Sequence, residues 1–200
     1  MDNQDITVID DNPEYRISKT KIEGLLIFER KLFPDERGYY QELARTPAIE
    51  KALGRPIHIK QWAISYNNPG VLRGIHAEPH DKIISPVTGK IFIAICDIRP
   101  NSQTFGQYQS FNFDLTDPHT PKKSIVVSNG LGNSFMVLSD SPVLYFYAVT
   151  EVYVSSENKR AIRWNDPDLN IKWPTEPKIM SEDDKNSHPF LRDLYPEKFK

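Results

Sequence analysis

A single cysteine, Cys96, occurs in the 200 residues, which excludes an internal disulfide and any zinc site built from several thiolates. Cys96 lies in the apolar run IFIAICDI, where a lone cysteine acts as a small buried hydrophobe. Long hydrophobic runs are also missing: nothing reaches the roughly 18 to 20 apolar residues that cross a bilayer. The opening stretch, MDNQDITVIDDNPEYRISKT, is polar and acidic, unlike a secretory leader. Neither sign of charge is in excess, with 25 Lys and Arg against 27 Asp and Glu. The basic residues are scattered, so no stripe offers itself to a nucleic-acid backbone. The expectation is a soluble, cytoplasmic protein with no nucleic-acid and no membrane partner.

Helical periodicity is scarce too, and what replaces it is apolar-polar alternation between closely spaced turn signals. In FGQYQSFNFDL, Phe105, Phe111, Phe113 and Leu115 share one parity with Gln107 and Gln109, opposite Tyr108, Ser110, Asn112 and Asp114. Further strands are expected at 25–29, 56–66, 71–78, 82–87, 90–98, 124–128, 134–138 and 143–149. That count predicts an all-β fold, an antiparallel jelly roll of two sheets. Short helices are expected from Thr46 to Leu53, with Thr46 as cap and Pro47 in the first turn, and again after Ser181. The length suits one domain. Residues 1–20 are read as an arm that orders against a partner subunit, 21–184 as the jelly-roll domain, and 185–200 as a tail packing on the domain or a dimer. Trp164 and Trp173 imply that the turn-rich stretch from about 153 to 177 packs back on the barrel, since a disordered segment gains nothing from large apolar rings.

The chemistry concentrates in VLRGIHAEPHDK, residues 71–82. On an unbroken strand His76, Glu78 and His80 share a face, a plausible set of metal ligands. Pro79 interrupts the ladder before His80, and the later segment SNGLGNSF offers Asn133 where metal-binding jelly rolls of the cupin type usually place a histidine. The other reading makes His76 a general base that removes a carbon-bound proton, its tautomer set by a carboxylate. Lys82 would then stabilise the enolate. Tyr145 and Tyr147, on one parity of VLYFYAV, are candidates for an acid on the opposite side.

Four blocks carry a resemblance: FPDERGYYQE at 33–42, GVLRGIH at 70–76, VTGKIFIAICDIRPNSQTFGQY at 87–108 and RWNDPDLNIKWP at 163–174. In this order they resemble the dTDP-4-dehydrorhamnose 3,5-epimerase family, from about Ile22 to Asp184. The resemblance implies a metal-free, cofactor-free, homodimeric enzyme with a cupin-like jelly-roll barrel. It would invert carbons flanking the ketone of a nucleotide-diphosphate 4-keto-6-deoxy sugar. By position His76 is the base, Asp166 its carboxylate partner, Lys82 the enolate stabiliser and Tyr147 the acid. Tyr147 is preferred to Tyr145 because it stands six residues before Tyr153, matching the family's spacing. Arg37, Glu42, Gln61, Arg73 and Asn133 fall among the substrate-binding positions, and arginines suit a diphosphate because a guanidinium donates two parallel hydrogen bonds.

Two features depart from the pattern. The segment HAEPHDK is compact where many members carry a longer loop, leaving Glu78, His80 and Asp81 at the rim, and Asn133 replaces a common histidine. The resemblance places Arg73 and His76 in one site although they have opposite parity on a regular strand, so a bulge at Gly74 is expected to turn both inward.

Overall fold

Alternation along the chain becomes two facing antiparallel sheets in a computed structural model that describes residues 6–152 and 160–199. Among the described residues the strands are β1 (Thr7–Asp11), β2 (Tyr15–Lys19), β3 (Leu25–Arg30), β4 (Phe33–Asp35), β5 (Gly38–Tyr40), β6 (Gln61–Asn67) and β7 (Leu72–Ala77). There follow β8 (Lys82–Pro86), β9 (Gly89–Asp97), β10 (Tyr108–Leu115), β11 (Lys123–Val127), β12 (Leu131–Val137), β13 (Val143–Val149) and β14 (Arg160–Ala161). One sheet runs β1-β2-β3-β11-β8-β13-β6, the other β10-β9-β12-β7-β14, and β4-β5 form a separate hairpin. This is the expected all-β, cupin-like jelly roll. No helix of the described residues is long and apolar enough to cross a membrane.

Three apolar layers hold the fold. Between the sheets pack Ile27, Ile84, Ile93, Ile95, Phe111, Phe113, Ile125, Phe135 and Tyr145. The outer face of the larger sheet, with Ile17, Leu26, Phe28 and Val126, is covered by Ala48 and Ile49 of helix α1 (Thr46–Leu53). Helix α1 has the expected bounds, but its cap lies one residue before Thr46. Arg45 holds the cap position with no side-chain cap, and Gly54 ends the helix in the left-handed region. The outer face of the smaller sheet, with Leu72, Ile75, Phe92, Ala94, Cys96 and Met136, is covered by Ile162, Leu169, Ile171 and Leu191, with Trp164 and Trp173 against them. The tryptophans thus pack back as their size demands, and burial pushes the Cys96 thiol up out of its reactive range.

Residues 7–19 of the expected arm form strands within the same chain, β1 pairing with β2 and β2 with β3. Asn12 closes the turn by accepting hydrogen bonds from the Glu14 and Tyr15 amides. Phe105 leaves the face that Phe111, Phe113 and Leu115 share, because a turn at Gly106 (φ 77°) precedes β10. It packs instead on Tyr195 and Phe199 of the C-terminal segment.

Asp97 ends β9 fully buried and accepts hydrogen bonds from the Arg99 guanidinium, Ser102 Oγ and Thr104 Oγ1. Burial alone would raise its pKa, but these donors outweigh burial and hold the carboxyl below the usual carboxylate range. A depressed folded pKa adds stability that is fully present above the unfolded value near about 4 and is lost as pH falls through the folded value. Asp97→Asn is expected to cost about 3 kcal/mol at pH 7 and to flatten the acid limb of stability. Urea denaturation from pH 7 down to pH 2 checks this, and an unchanged acid limb would refute it.

Candidate active site

One extra residue in β7 builds the site. Against β12, Asn133 pairs with His76 and Phe135 with Arg73, so three steps on β7 match two on β12. Leu72 and Ile75, also three apart, consequently lie in the same outer cluster, while Arg73 and His76 both line a cavity between the sheets. The bulge expected at Gly74 is therefore present, and Gly74 adopts φ 123°, where only glycine sits without strain. Its N–H, outside the β12 register, donates to Asp184 Oδ2 at 3.3 Å.

The cavity is about 200 Å3. From β7 come Arg73 and His76, with Glu78 just beyond; β8 gives Lys82 and Ile84; β12 gives Asn133 and Phe135; β6 gives Ser65; and β13 gives Tyr145 and Tyr147. His76 Nε2 lies 2.5 Å from Asp184 Oδ1, and Asp184 is only 4% exposed. Asp184 belongs to a single π-helical turn, Asp183–Ser187, where its N–H donates to Ser181 Oγ at 3.1 Å. Asp184, not Asp166, is thus the carboxylate at His76. Asp166 is spent on the backbone: it accepts from the Asp168 and Leu169 amides at 2.9 Å and from the Leu191 amide at 2.6 Å, closing its own turn and anchoring helix α2 (Leu191–Leu194). Asp184 was hidden in SEDDK, a run of acids with no periodicity to mark which one is buried, 108 residues from His76.

Lys82 enters the cavity paired with Glu78. The His-x-Glu-x-His face does not converge on the cavity: His80 lies outside its lining, and Glu78 Oε2, 3.8 Å from His80 Nε2, pairs with Lys82. Burial lowers the pKa of His80. Another trio, His76, Asp184 and His188, places its nitrogen and oxygen donors within 4.8 Å of one another, near enough to hold a metal ion. Hydrogen bonding between two imidazoles and one carboxylate accounts for the same geometry. Asp81 anchors the compact loop. Its burial is outweighed by the Arg55 guanidinium at 2.6 and 2.7 Å and the Asn129 amide, which hold its carboxyl below the usual range.

Both tyrosines reach the cavity, in different environments. Tyr145 is 2% exposed, stacks on Phe135 and donates to Asn133 Oδ1 at 3.3 Å; burial pushes its phenol up. Tyr147 is half-buried. Tyr153, whose spacing favoured Tyr147, lies outside the described residues. Arg73 is exposed at the rim and its Nε donates to Asn67 Oδ1 at 2.9 Å.

Three expected substrate positions are not brought into this cavity. Gln61 opens β6 opposite Val149, short of the lining residues. Arg37, at the tip of the β4-β5 hairpin, pairs with Asp35 at 2.5 Å. Glu42 pairs with Arg45 and borders a different cavity with Arg30 and Tyr40. Arg30 has the parity of Leu26 and Phe28, whose side chains face outward toward α1, so that second cavity lies outside the barrel.

The sequence profile of the dTDP-4-dehydrorhamnose 3,5-epimerase family matches residues 19–193. A Shigella flexneri dTDP-4-dehydrorhamnose 3,5-epimerase is 35% identical over 179 residues, 88% of this chain and 96% of that one. Among solved structures, the dTDP-6-deoxy-D-glucose-3,5-epimerase of Legionella pneumophila, in complex with dTDP-4-keto-L-rhamnose, aligns with TM-score 0.79 and 29% identity over 96% of each chain. ChmJ of Streptomyces bikiniensis, a 3'-monoepimerase in complex with dTDP-quinovose, aligns with TM-score 0.76 and 27% identity over 90% of this chain and 88% of that one.

A Cβ at Gly74 would stand 2.5 Å from Ser134 Cβ and 2.8 Å from the Asn133 carbonyl oxygen. Gly74→Ala is expected to destabilise the fold by roughly 3 kcal/mol, from the positive φ and the overlap together, and to displace His76. Urea denaturation checks the first effect, and a variant as stable as the parent would refute the constraint.

Proposed function

The chain belongs to the dTDP-4-dehydrorhamnose 3,5-epimerase family, and we propose that it inverts C3 and C5 of a nucleotide-linked 4-keto-6-deoxy sugar, the conversion of dTDP-4-dehydro-6-deoxyglucose to dTDP-4-dehydrorhamnose. Both carbons adjoin the C4 ketone, so removing either proton leaves a carbanion delocalised onto the carbonyl oxygen. His76 takes the proton, with Asp184 holding Nε2 and steadying the imidazolium that forms. Nδ1 is then the nitrogen that meets the C–H bond. Lys82 supplies positive charge to the enolate oxygen, where charge develops in the transition state. Tyr147 delivers a proton to the opposite face, His76 returns its own to solvent and Tyr147 regains one from solvent, so the cycle balances as proton transfer without a redox cofactor.

The observation that carries this reading is the placement of His76 and Tyr147 on opposite sheets around one cavity. A planar enolate held between the sheets has one face toward each, which inversion requires. About 200 Å3 is small beside the roughly 300–1,000 Å3 of ligand pockets generally, so the sugar ring enters and the diphosphate stays at the rim near Arg73. The likeness to a 3'-monoepimerase favours a second reading, in which only one carbon is inverted.

We further propose a homodimer. On edge strand β6, Trp62, Ile64 and Tyr66 share one outward face at 59%, 59% and 64% exposure, and Phe146 of β13 packs on Trp62. A contiguous aromatic patch on a sheet edge marks a contact surface. A second copy also offers Arg37 and Glu42 a cavity to serve, since they stand outside that of their own chain.

Incubation with dTDP-4-keto-6-deoxyglucose in deuterated water is expected to place deuterium at C3 and C5, read by NMR. His76→Ala abolishes the exchange, and Asp184→Asn lowers kcat at least ~100-fold. Asp166→Asn loses stability and lowers kcat less than Asp184→Asn does. Exchange at one carbon establishes the monoepimerase reading, and exchange surviving His76→Ala would remove the assigned base. Sedimentation velocity checks the dimer: the parent is expected to run at twice the chain mass, and the Trp62→Glu, Tyr66→Glu double variant as a monomer.

A further inference from the structure

Asp184 serves two imidazoles. His188 Nε2 lies 3.3 Å from Asp184 Oδ1, the same oxygen that His76 Nε2 approaches at 2.5 Å. The two rings meet edge to face, with centroids 6.1 Å apart at 88°. His188 follows the π-helical turn by one residue, and its side chain is 17% exposed. Its backbone is clamped: the His188 carbonyl accepts from Arg163 Nε at 2.9 Å, the Pro189 carbonyl accepts from the Arg163 amide at 3.0 Å, and the Arg163 guanidinium lies over the Phe190 ring. The contact is therefore built in by the C-terminal segment and does not depend on a loose rotamer.

Resting on the reading of His76 as base, we propose that His188 is a positioning residue for the reaction, holding the Asp184 carboxylate at the oxygen that Gly74 does not contact. The carboxylate turns about its Cβ–Cγ bond unless both oxygens are held. The Gly74 amide holds Oδ2, and a His188 N–H holds Oδ1 beside the His76 bond. With both in place, Asp184 stays aligned as His76 cycles between imidazole and imidazolium at each proton transfer. His188 touches no substrate atom in this scheme and acts only through Asp184. Catalytic constellations tolerate displacements of about half an ångström, so the loss of one restraint is felt in turnover.

Steady-state kinetics of the full-length protein test this. His188→Ala is expected to lower kcat about tenfold, as loss of a supporting hydrogen bond typically does, with KM changed less than twofold. His188→Gln keeps an N–H donor and is expected to restore kcat to within about threefold of the parent. A merely structural role would lower the melting temperature in both variants and leave kcat alone. A parent-like kcat in His188→Ala, or equal losses in Ala and Gln, overturns the proposal. So does one tightly bound divalent metal per chain that His188→Ala releases, which would make the trio a metal site. Absence of deuterium uptake by the parent sinks the reading of the whole site, and this inference with it.

Discussion

The contact between the Gly74 amide and Asp184 Oδ2 joins the two halves of the site, and much else follows from it. A regular strand through residues 72–77 would point Arg73 inward and His76 outward. With one extra residue, Leu72 and Ile75 keep their places in the outer core while Arg73 and His76 both enter the cavity. The same irregularity takes the Gly74 amide out of the ladder and offers it to the carboxylate that serves His76. A glycine is required there because Ser134 and the Asn133 carbonyl leave no room for a Cβ.

The C-terminal segment does two jobs with one set of contacts. Ile162, Leu169, Ile171 and Leu191 cover the outer face of the smaller sheet, and in crossing it the chain delivers Asp184 and His188 to the back of His76. Asp166 is indispensable to that route without belonging to the chemistry: its carboxylate ties the Leu191 amide to the turn at Asp168. Covering a sheet and supporting a base are thus coupled, and the residues that secure the cover also set the position of the carboxylate.

The proposed chemistry depends on the barrel having two walls. His76 stands on one sheet, Tyr147 and Lys82 on the other. The interior between them is apolar below, with Ile84 and Phe135 at the cavity floor, so charge at the site is felt through a medium of low polarity. Glu78 beside Lys82 keeps that ammonium from being an unpaired buried charge.

Alternation and turn residues determined the strands, because a sheet with one buried face needs every second side chain apolar. They placed β7, β8, β9 and β13 nearly to their ends, and the glycine between Arg73 and His76 foretold the bulge that brings both inward. His76 and Lys82 were legible from their chemistry within one short stretch, and Tyr147, Arg73 and Asn133 from their positions in the family's pattern; all five line one cavity. Asp184 and His188 were not, since their proximity to His76 arises where a distant segment folds across a sheet, and no local period records such a crossing. Choosing Asp184 over Asp166 was left to tertiary structure for the same reason. Both carboxylates are buried and hydrogen-bonded, and only the path of the chain decides that, among the described residues, Asp166 accepts from backbone amides while Asp184 also meets an imidazole.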